Sequence, residues 1–259
     1  RLTEDGELVV ERARRVLNQV QDIAADVNSK DADVEGETVL GCIGTTARWL
    51  MPRLLPELTS KFPKIRVTIV EGSTLNLIPR LTSGSLSAGI VHLPIEDDNL
   101  QATPLFAEDL VLLVHAKHEW SKLEKITIQE LASRPLLLPP KNNSLRKILD
   151  RAAGTQRLVL TPQAEIDGVR LLTSLAFEGF GAAVVPATAA PGWIKGEFKR
   201  IEIPELPRRV VGLVQRGRPL PNKSTSAVAA MIREVIERTG DRQPGVHIGK
   251  GAFPLKRPS

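Results

Sequence analysis

The sequence predicts an α/β protein built as two lobes on parallel sheets, preceded by a long helix. Three observations carry this. Short apolar runs alternate with helix-periodic segments, the sign of a parallel sheet covered on both faces, and that alternation occurs twice in the 259 residues. The head of the chain follows a different, 3.5-residue period. Hydrophobic residues make up 42% of the chain, enough for ordinary cores and too much for a disordered one.

The opening segment has no Gly or Pro between Glu7 and Ser29, and Val9, Ala13, Val16, Val20, Ile23 and Val27 recur at spacings of 4, 3, 4, 3 and 4. That spacing is a coiled-coil seam. Some 26 helical residues would span roughly 39 Å, a narrow stripe whose natural partner is a second chain, so residues 1–30 are expected to dimerise. Asp31–Gly36 is an acidic linker. The first series of elements then runs Thr38–Ile43 (strand), Ala47–Phe62 (helix, with Pro52 and Pro56 inside it), Ile65–Glu71 (strand), Leu75–Ser83 (helix), Ala88–Val91 (strand) and Leu110–His115 (strand). The second runs Pro135–Leu138 (strand), Ser144–Ala153 (helix), Gln163–Ile166 (strand), Val169–Phe177 (helix), Ala182–Pro186 (strand) and Val210–Gln215 (strand). Asn222–Thr239 closes as an amphipathic helix with Val228, Ile232, Val235 and Ile236 on one side.

Charge and cysteine usage exclude several classes. The net charge of +5 suggests nucleic acid, yet residues 241–259 alone hold +3 of it, and this Gly- and Pro-bearing tail is expected to be disordered. No basic face in the folded body argues for DNA contact by itself. Cys42 is the single cysteine, so a disulfide within the chain and a cysteine-based zinc site are excluded, in keeping with a reducing cytoplasm. No apolar run approaches the length of a membrane span, and nothing marks export.

Candidate ligand contacts come from the strand-to-helix turns, because ligands of open parallel sheets bind beyond the strands' carboxyl ends, where helix N-termini converge. Gly44-Thr45-Thr46, Lys141-Asn142-Asn143-Ser144 and Asp167-Gly168 each offer backbone N–H groups and small polar side chains, with Ser73 in Gly72-Ser73-Thr74 at the same level. Thr, Asn, Ser and Asp also cap helices, and Asp167 in particular either caps the helix from Val169 or faces a donor on a ligand. Catalytic sets are scarce. P-loop, GxSxG, HExxH and GxGxxG patterns are absent; His115 and His118 are surface histidines rather than metal ligands, and Cys42 is a small core residue. No catalytic residue, metal or cofactor is nominated.

At RLTEDGELVVERARRVL, LGCIGTTARWLMPRLLPELTSKFPKIRVTIVEG, LTSGSLSAGIV, PLLLPPKNNSLRKILD and LAFEGFGAAVVP the chain resembles LysR-type transcriptional regulators, through to about Thr239. The resemblance implies a linker helix followed by an effector-binding domain of the type II periplasmic-binding-protein fold, lacking most of an N-terminal winged helix-turn-helix. It implies lobe I at 37–114 plus 216–240 and lobe II at 115–215, with crossovers near His115 and at Gln215–Gly217. It also implies a small-molecule effector in the cleft between lobes, contacted by Thr45, Thr46, Ser73, His92, Asn142, Asn143 and Asp167, a homodimer or homotetramer, and promoter DNA held by the missing segment. Where relatives often carry DGELD, this chain has SGSLS at Ser83–Ser87. An amino acid or hydroxylated acid would suit an anion-seeking helix N-terminus opposite Asp167. A transporter's solute-binding protein would need an export signal in place of the coiled-coil helix. An enzyme on the same fold would need more than Asp167 and His92 in the cleft.

Overall fold

The computed structural model describes residues 34–218 and 220–249, together with Phe253 and nine positions within the first twenty residues. Among the latter, Val9, Ala13, Val16 and Val20 are helical and exposed; Ile23 and Val27 lie outside the described residues.

The first sheet has six strands in the order β11 (Val246–His247), β4 (Leu100–Glu108), β10 (Arg209–Arg216), β3 (Ala88–Leu93), β1 (Gly36–Cys42), β2 (Ile65–Glu71). β1 (Gly36–Cys42) pairs in parallel with β2 (Ile65–Glu71) along its whole length and with β3 (Ala88–Leu93) over Leu40–Cys42. α1 (Gly44–Lys61) leads from β1 to β2, and α2 (Thr74–Thr82) from β2 to β3. α1 runs through both Pro52 and Pro56. Each proline deletes one helical hydrogen bond, but Trp49, Leu50, Leu54 and Leu58 are buried along one stripe, and tertiary packing of that stripe decides the outcome. The helix also begins three residues ahead of its expected start, which places Thr45 and Thr46 in its first turn.

The second sheet has the order β7-β6-β8-β5-β9. β5 (Leu110–His115) pairs antiparallel with β8 (Ala183–Pro186) and β9 (Phe198–Glu202), and β6 (Leu136–Leu138) pairs in parallel with β7 (Pro162–Glu165) and β8. The sheet is therefore mixed rather than parallel throughout. Its continuous apolar runs are explained by burial on both faces. Leu110, Leu112, Val114, Leu136, Leu138, Val184 and Ile201 join one core cluster, and Val111, Leu113, Leu137, Ala183 and Val185 join the other, an alternation of period two. α4 (Ser144–Thr155), with the short α3 (Ile128–Ala132), covers the first face, and α5 (Val169–Phe177) the second.

The chain leaves the first sheet after β4 (Leu100–Glu108) and enters the second at Leu110, so this passage falls at Asp109. It returns between β9 and β10 (Arg209–Arg216). These positions replace the crossovers read near His115 and at Gln215–Gly217. The two compact units divide differently again: Leu50–Leu105 and Val211–Arg238 group with the segment up to Ile43, whereas Gly44–Trp49, Phe106–Val210 and the segment from Thr239 form the other. The first turn of α1 thus groups with the second unit.

Two ion pairs sit where these passages meet, within that second unit. Glu108 is fully buried; it accepts hydrogen bonds from Arg209 Nη2 (3.0 Å) and from Thr188 Oγ1 (2.6 Å). Burial drives the Arg209 pKa down, with Glu108 opposing the shift. Asp109 takes Arg208 Nε at 3.1 Å and His247 Nε2 at 2.8 Å.

The expected disorder of 241–259 does not hold for its described part. After α6 (Lys223–Thr239) and a 3₁₀ turn at Gly240–Arg242, β11 (Val246–His247) adds antiparallel to the edge of β4. Val246 and Gln243 are buried, and the Gly245 carbonyl accepts the Asp109 amide at 2.8 Å. Gly245 adopts φ 73° and its Cα faces Ala187 so closely that a Cβ would lie 2.5 Å from the Ala187 methyl. A two-residue strand amid charged and Gly-rich sequence carries no periodic signal; only the open edge of β4 makes it a strand.

Candidate functional site

α1 opens on an N-terminus that its own sequence leaves bare. Its N-cap is Ile43, no side chain caps it, and its first turn holds no acid. Such an end presents unpaired N–H groups and a partial positive charge. Thr45 and Thr46 lie in this turn, 6% and 0% exposed. The Thr46 hydroxyl is buried with no hydrogen-bond partner among the described residues, an arrangement that costs about 1–3 kcal/mol when nothing compensates it. Arg48, one turn on, donates to the Ala189 carbonyl at 3.5 Å.

Ser73 and His92 are brought to one end of the first sheet. Ser73 is the N-cap of α2, its Oγ accepting the Asn76 amide at 3.3 Å. The next residue, Thr74, takes the His92 amide on its Oγ1 at 3.1 Å and so ties the end of β3 to the start of α2. Ser73 is exposed and His92 partly buried.

In the second sheet, the Ile166 amide bonds the Leu138 carbonyl at 2.9 Å, which sets the ends of β6 and β7 side by side and with them the turns bearing Asn142–Asn143 and Asp167. Asn143 caps α4 through its Oδ1 and the Leu145 amide (2.9 Å); Asn142 is exposed. Asp167 is exposed and does not cap α5. The N-cap there is Gly168, at φ 125°, with no side-chain bond. Arg146, which the sequence reading passed over, is buried beneath these turns and bonds Asp150 and Glu165. Its one sequence signal is the i,i+4 spacing to Asp150.

The remaining candidates are structural. Cys42 is fully buried, and desolvation, with the Glu71 charge second, pushes its thiol far above the range in which a thiolate forms. His115 Nδ1 accepts the Lys117 amide and His118 Nδ1 the Trp120 amide, each at 3.1 Å. Burial lowers the His118 pKa. Among the described residues no cluster of three His, Cys, Asp or Glu could hold a metal ion, and no helix is long and apolar enough to cross a membrane.

Two α/β sheets, with a bare helix N-terminus and polar turns at the strands' carboxyl ends, define a ligand-sensing domain of the periplasmic-binding-protein-like type. The LysR substrate binding domain model matches residues 31–237. The DNA-binding transcriptional dual regulator OxyR of Escherichia coli (strain K12) is 30% identical over 234 residues, covering 85% of this chain and 73% of that protein. Among solved structures, the effector-binding domain of QuiR in complex with shikimate superimposes with a TM-score of 0.69 at 18% identity, covering 79% of this chain and 98% of that one. A hydrogen peroxide-bound mutant of the Corynebacterium glutamicum OxyR gives 0.71 at 20% identity, covering 93% and 78%. The chain belongs to the LysR family of transcription regulators. It carries that family's ligand-sensing regulatory domain; such regulators bind small-molecule effectors and DNA and are oligomeric, and the relatives are not enzymes.

Proposed function

We propose that this chain senses a small organic acid, bound without covalent chemistry, and passes the signal through its opening helix to a DNA-binding segment of the regulator. The observation that carries this is the Thr46 hydroxyl, fully buried and with no partner among the described residues, beside the uncapped, acid-free N-terminus of α1. A carboxylate there would accept both that hydroxyl and the helix N–H groups. Within the second unit, Thr45, Asn142 and Asn143 are proposed as further contacts and exposed Asp167 as the partner of a hydroxyl or amine on the effector; Ser73 and His92 are proposed as the ligand contacts that the first unit offers by itself. The fold likeness to a domain holding shikimate, a hydroxylated carboxylic acid, agrees with this class. The domain works by population shift and performs no reaction: effector binding favours one conformation, and the oligomer converts it into a change in promoter binding.

Several relatives are named as hydrogen peroxide-inducible activators. Peroxide oxidises thiolates, and this chain's single thiol is buried with its pKa pushed up, so we assign it a binding mechanism instead. Oligomerisation is proposed through the opening helix, where Val9, Val16 and Val20 are each more than half exposed at seam spacing. Acting on DNA, the protein would work in the cytoplasm.

A thermal-shift screen of carboxylic acids (shikimate included), hydroxy acids and amino acids, followed by calorimetry on the hits, tests the reading. The expected result is that acids raise the Tm of the wild type and lose that effect in Thr46→Val. Hits confined to neutral or cationic compounds, binding both proteins equally, would overturn it.

A further inference from the structure

Arg146 lies in the first turn of α4 and is only 3% exposed, an unusual place for a guanidinium, which is almost never buried unless paired. Its bonds lead to three segments. Nε donates to both oxygens of Asp150, at 2.9 and 3.0 Å. Nη1 donates to the Pro139 carbonyl at 3.1 Å and to Glu165 Oε1 at 3.0 Å. The two acids keep side-chain exposures of 42% and 41%, so the carboxylates reach solvent and the cation does not. Support for α4 alone would need no more than the i,i+4 pair with Asp150, worth a few tenths of a kcal/mol when exposed. The other two bonds point away from the helix. Pro139 directly follows β6 and opens the turn through Pro140 to Asn143, which is closed by the Asn143 amide on the Pro140 carbonyl at 2.9 Å. Glu165 ends β7, two residues ahead of Asp167. Nη1 alone reaches both turns, giving one hydrogen to each, while Nε keeps the pair with Asp150; a lysine offers one point of charge for all three partners and cannot serve the helix pair and the turns from separate nitrogens.

We infer that Arg146 is a positioning residue for the effector turns of the second unit. It touches no effector and holds the Asn142–Asn143 turn and the Asp167 turn in a fixed relation, so that effector binding does not have to order them. The inference rests on the reading of those turns as effector contacts given above.

Hydrogen exchange by mass spectrometry on the full chain tests it, comparing wild type with Arg146→Met, Arg146→Lys and Glu165→Gln. In Arg146→Met the amides of 141–145 and 166–168 should exchange at least tenfold faster, while those of β8 and of Leu172–Phe177 stay within twofold. Arg146→Lys should loosen the same two turns, because one ammonium must divide itself among Asp150, Pro139 and Glu165 where the guanidinium uses two nitrogens. Glu165→Gln should loosen 166–168 and leave 141–145 near wild type. Full protection of both turns in Arg146→Lys would overturn the inference, as would equal loosening of α4, α5 and β8 in Arg146→Met, which would mark a general structural staple. If Arg146→Met fails to fold, the other two variants decide the matter. Acids found by the screen above should bind Arg146→Lys at least tenfold more weakly at a temperature where both proteins are folded; equal affinity counts against the inference. Failure of the effector reading shows differently, as no acid binding to the wild type, and leaves the exchange result standing.

Discussion

Replacing Thr46 by Val is expected to stabilise the protein and disable it together. The two side chains have nearly the same shape, and Val exchanges one hydroxyl for a methyl. The hydroxyl is fully buried without a partner among the described residues, and such a group costs about 1–3 kcal/mol. Taking the low end, about 1 kcal/mol, the effector-free protein should melt roughly 2–4 °C higher, the response of a chain of this size. The effector-bound state moves the other way. A hydrogen bond to a charged group is worth about 1.5–3 kcal/mol, so an acid that accepts from Thr46 should bind roughly 10- to 100-fold more weakly to the variant. Differential scanning fluorimetry without ligand and calorimetry with the acids found by screening measure the two halves. A lower Tm in Thr46→Val would mean that the hydroxyl serves the fold, and an unchanged affinity would remove it from the site; either result refutes the reasoning.

Other outcomes follow from the packing. Arg209→Met leaves the Glu108 carboxylate buried and unpaired, which should cost about 3–5 kcal/mol and lower the Tm by roughly 6–20 °C. Adding Glu108→Gln removes the stranded charge, keeps an acceptor for Thr188 and should recover most of the loss; a single variant melting within 2 °C of wild type, on the same scale, would show the pair to be dispensable. Val246→Asp places a charge in the buried β11 position and should expose Thr239–Gly249 to limited proteolysis, whereas wild-type resistance would mean that the strand contributes nothing to the edge of β4. Val16→Asp with Val20→Asp should shift the sedimentation profile toward monomer, and an unchanged oligomer would move the interface away from the opening helix. Cys42 should resist alkylation and peroxide in the folded protein and react after urea unfolding, and fast modification of the native state would return thiol chemistry to the sensing mechanism.

Legibility in the sequence tracked local physics. The helices of the two series and most of their strands announced themselves through period and burial: LVLLV of β5 is apolar at every position because both faces of its sheet are covered, and the α2 and α4 starts carry Ser73 and Asn143 as caps. β4 and β9 did not, because LQATPLFAE and FKRIE are half polar and are held as strands by their neighbours. The same division runs through the site. Thr45, Thr46, Ser73 and the two asparagines were visible as small polar residues after strands. Which of them are occupied as caps was not.

The sequence by itself determined the α/β class, the two series of elements, the heptad spacing at the head and the family, since each depends on residue order along the chain. Tertiary structure alone decided that Thr46 holds a buried, unpartnered hydroxyl, that Asp167 is exposed and caps nothing, and that Arg146 gathers three segments. It also decided that residues 246–247 complete a sheet and that Asp109 marks the passage between sheets. These depend on contacts between residues distant in sequence, where burial and pairing, rather than periodicity, set the free energy of each group.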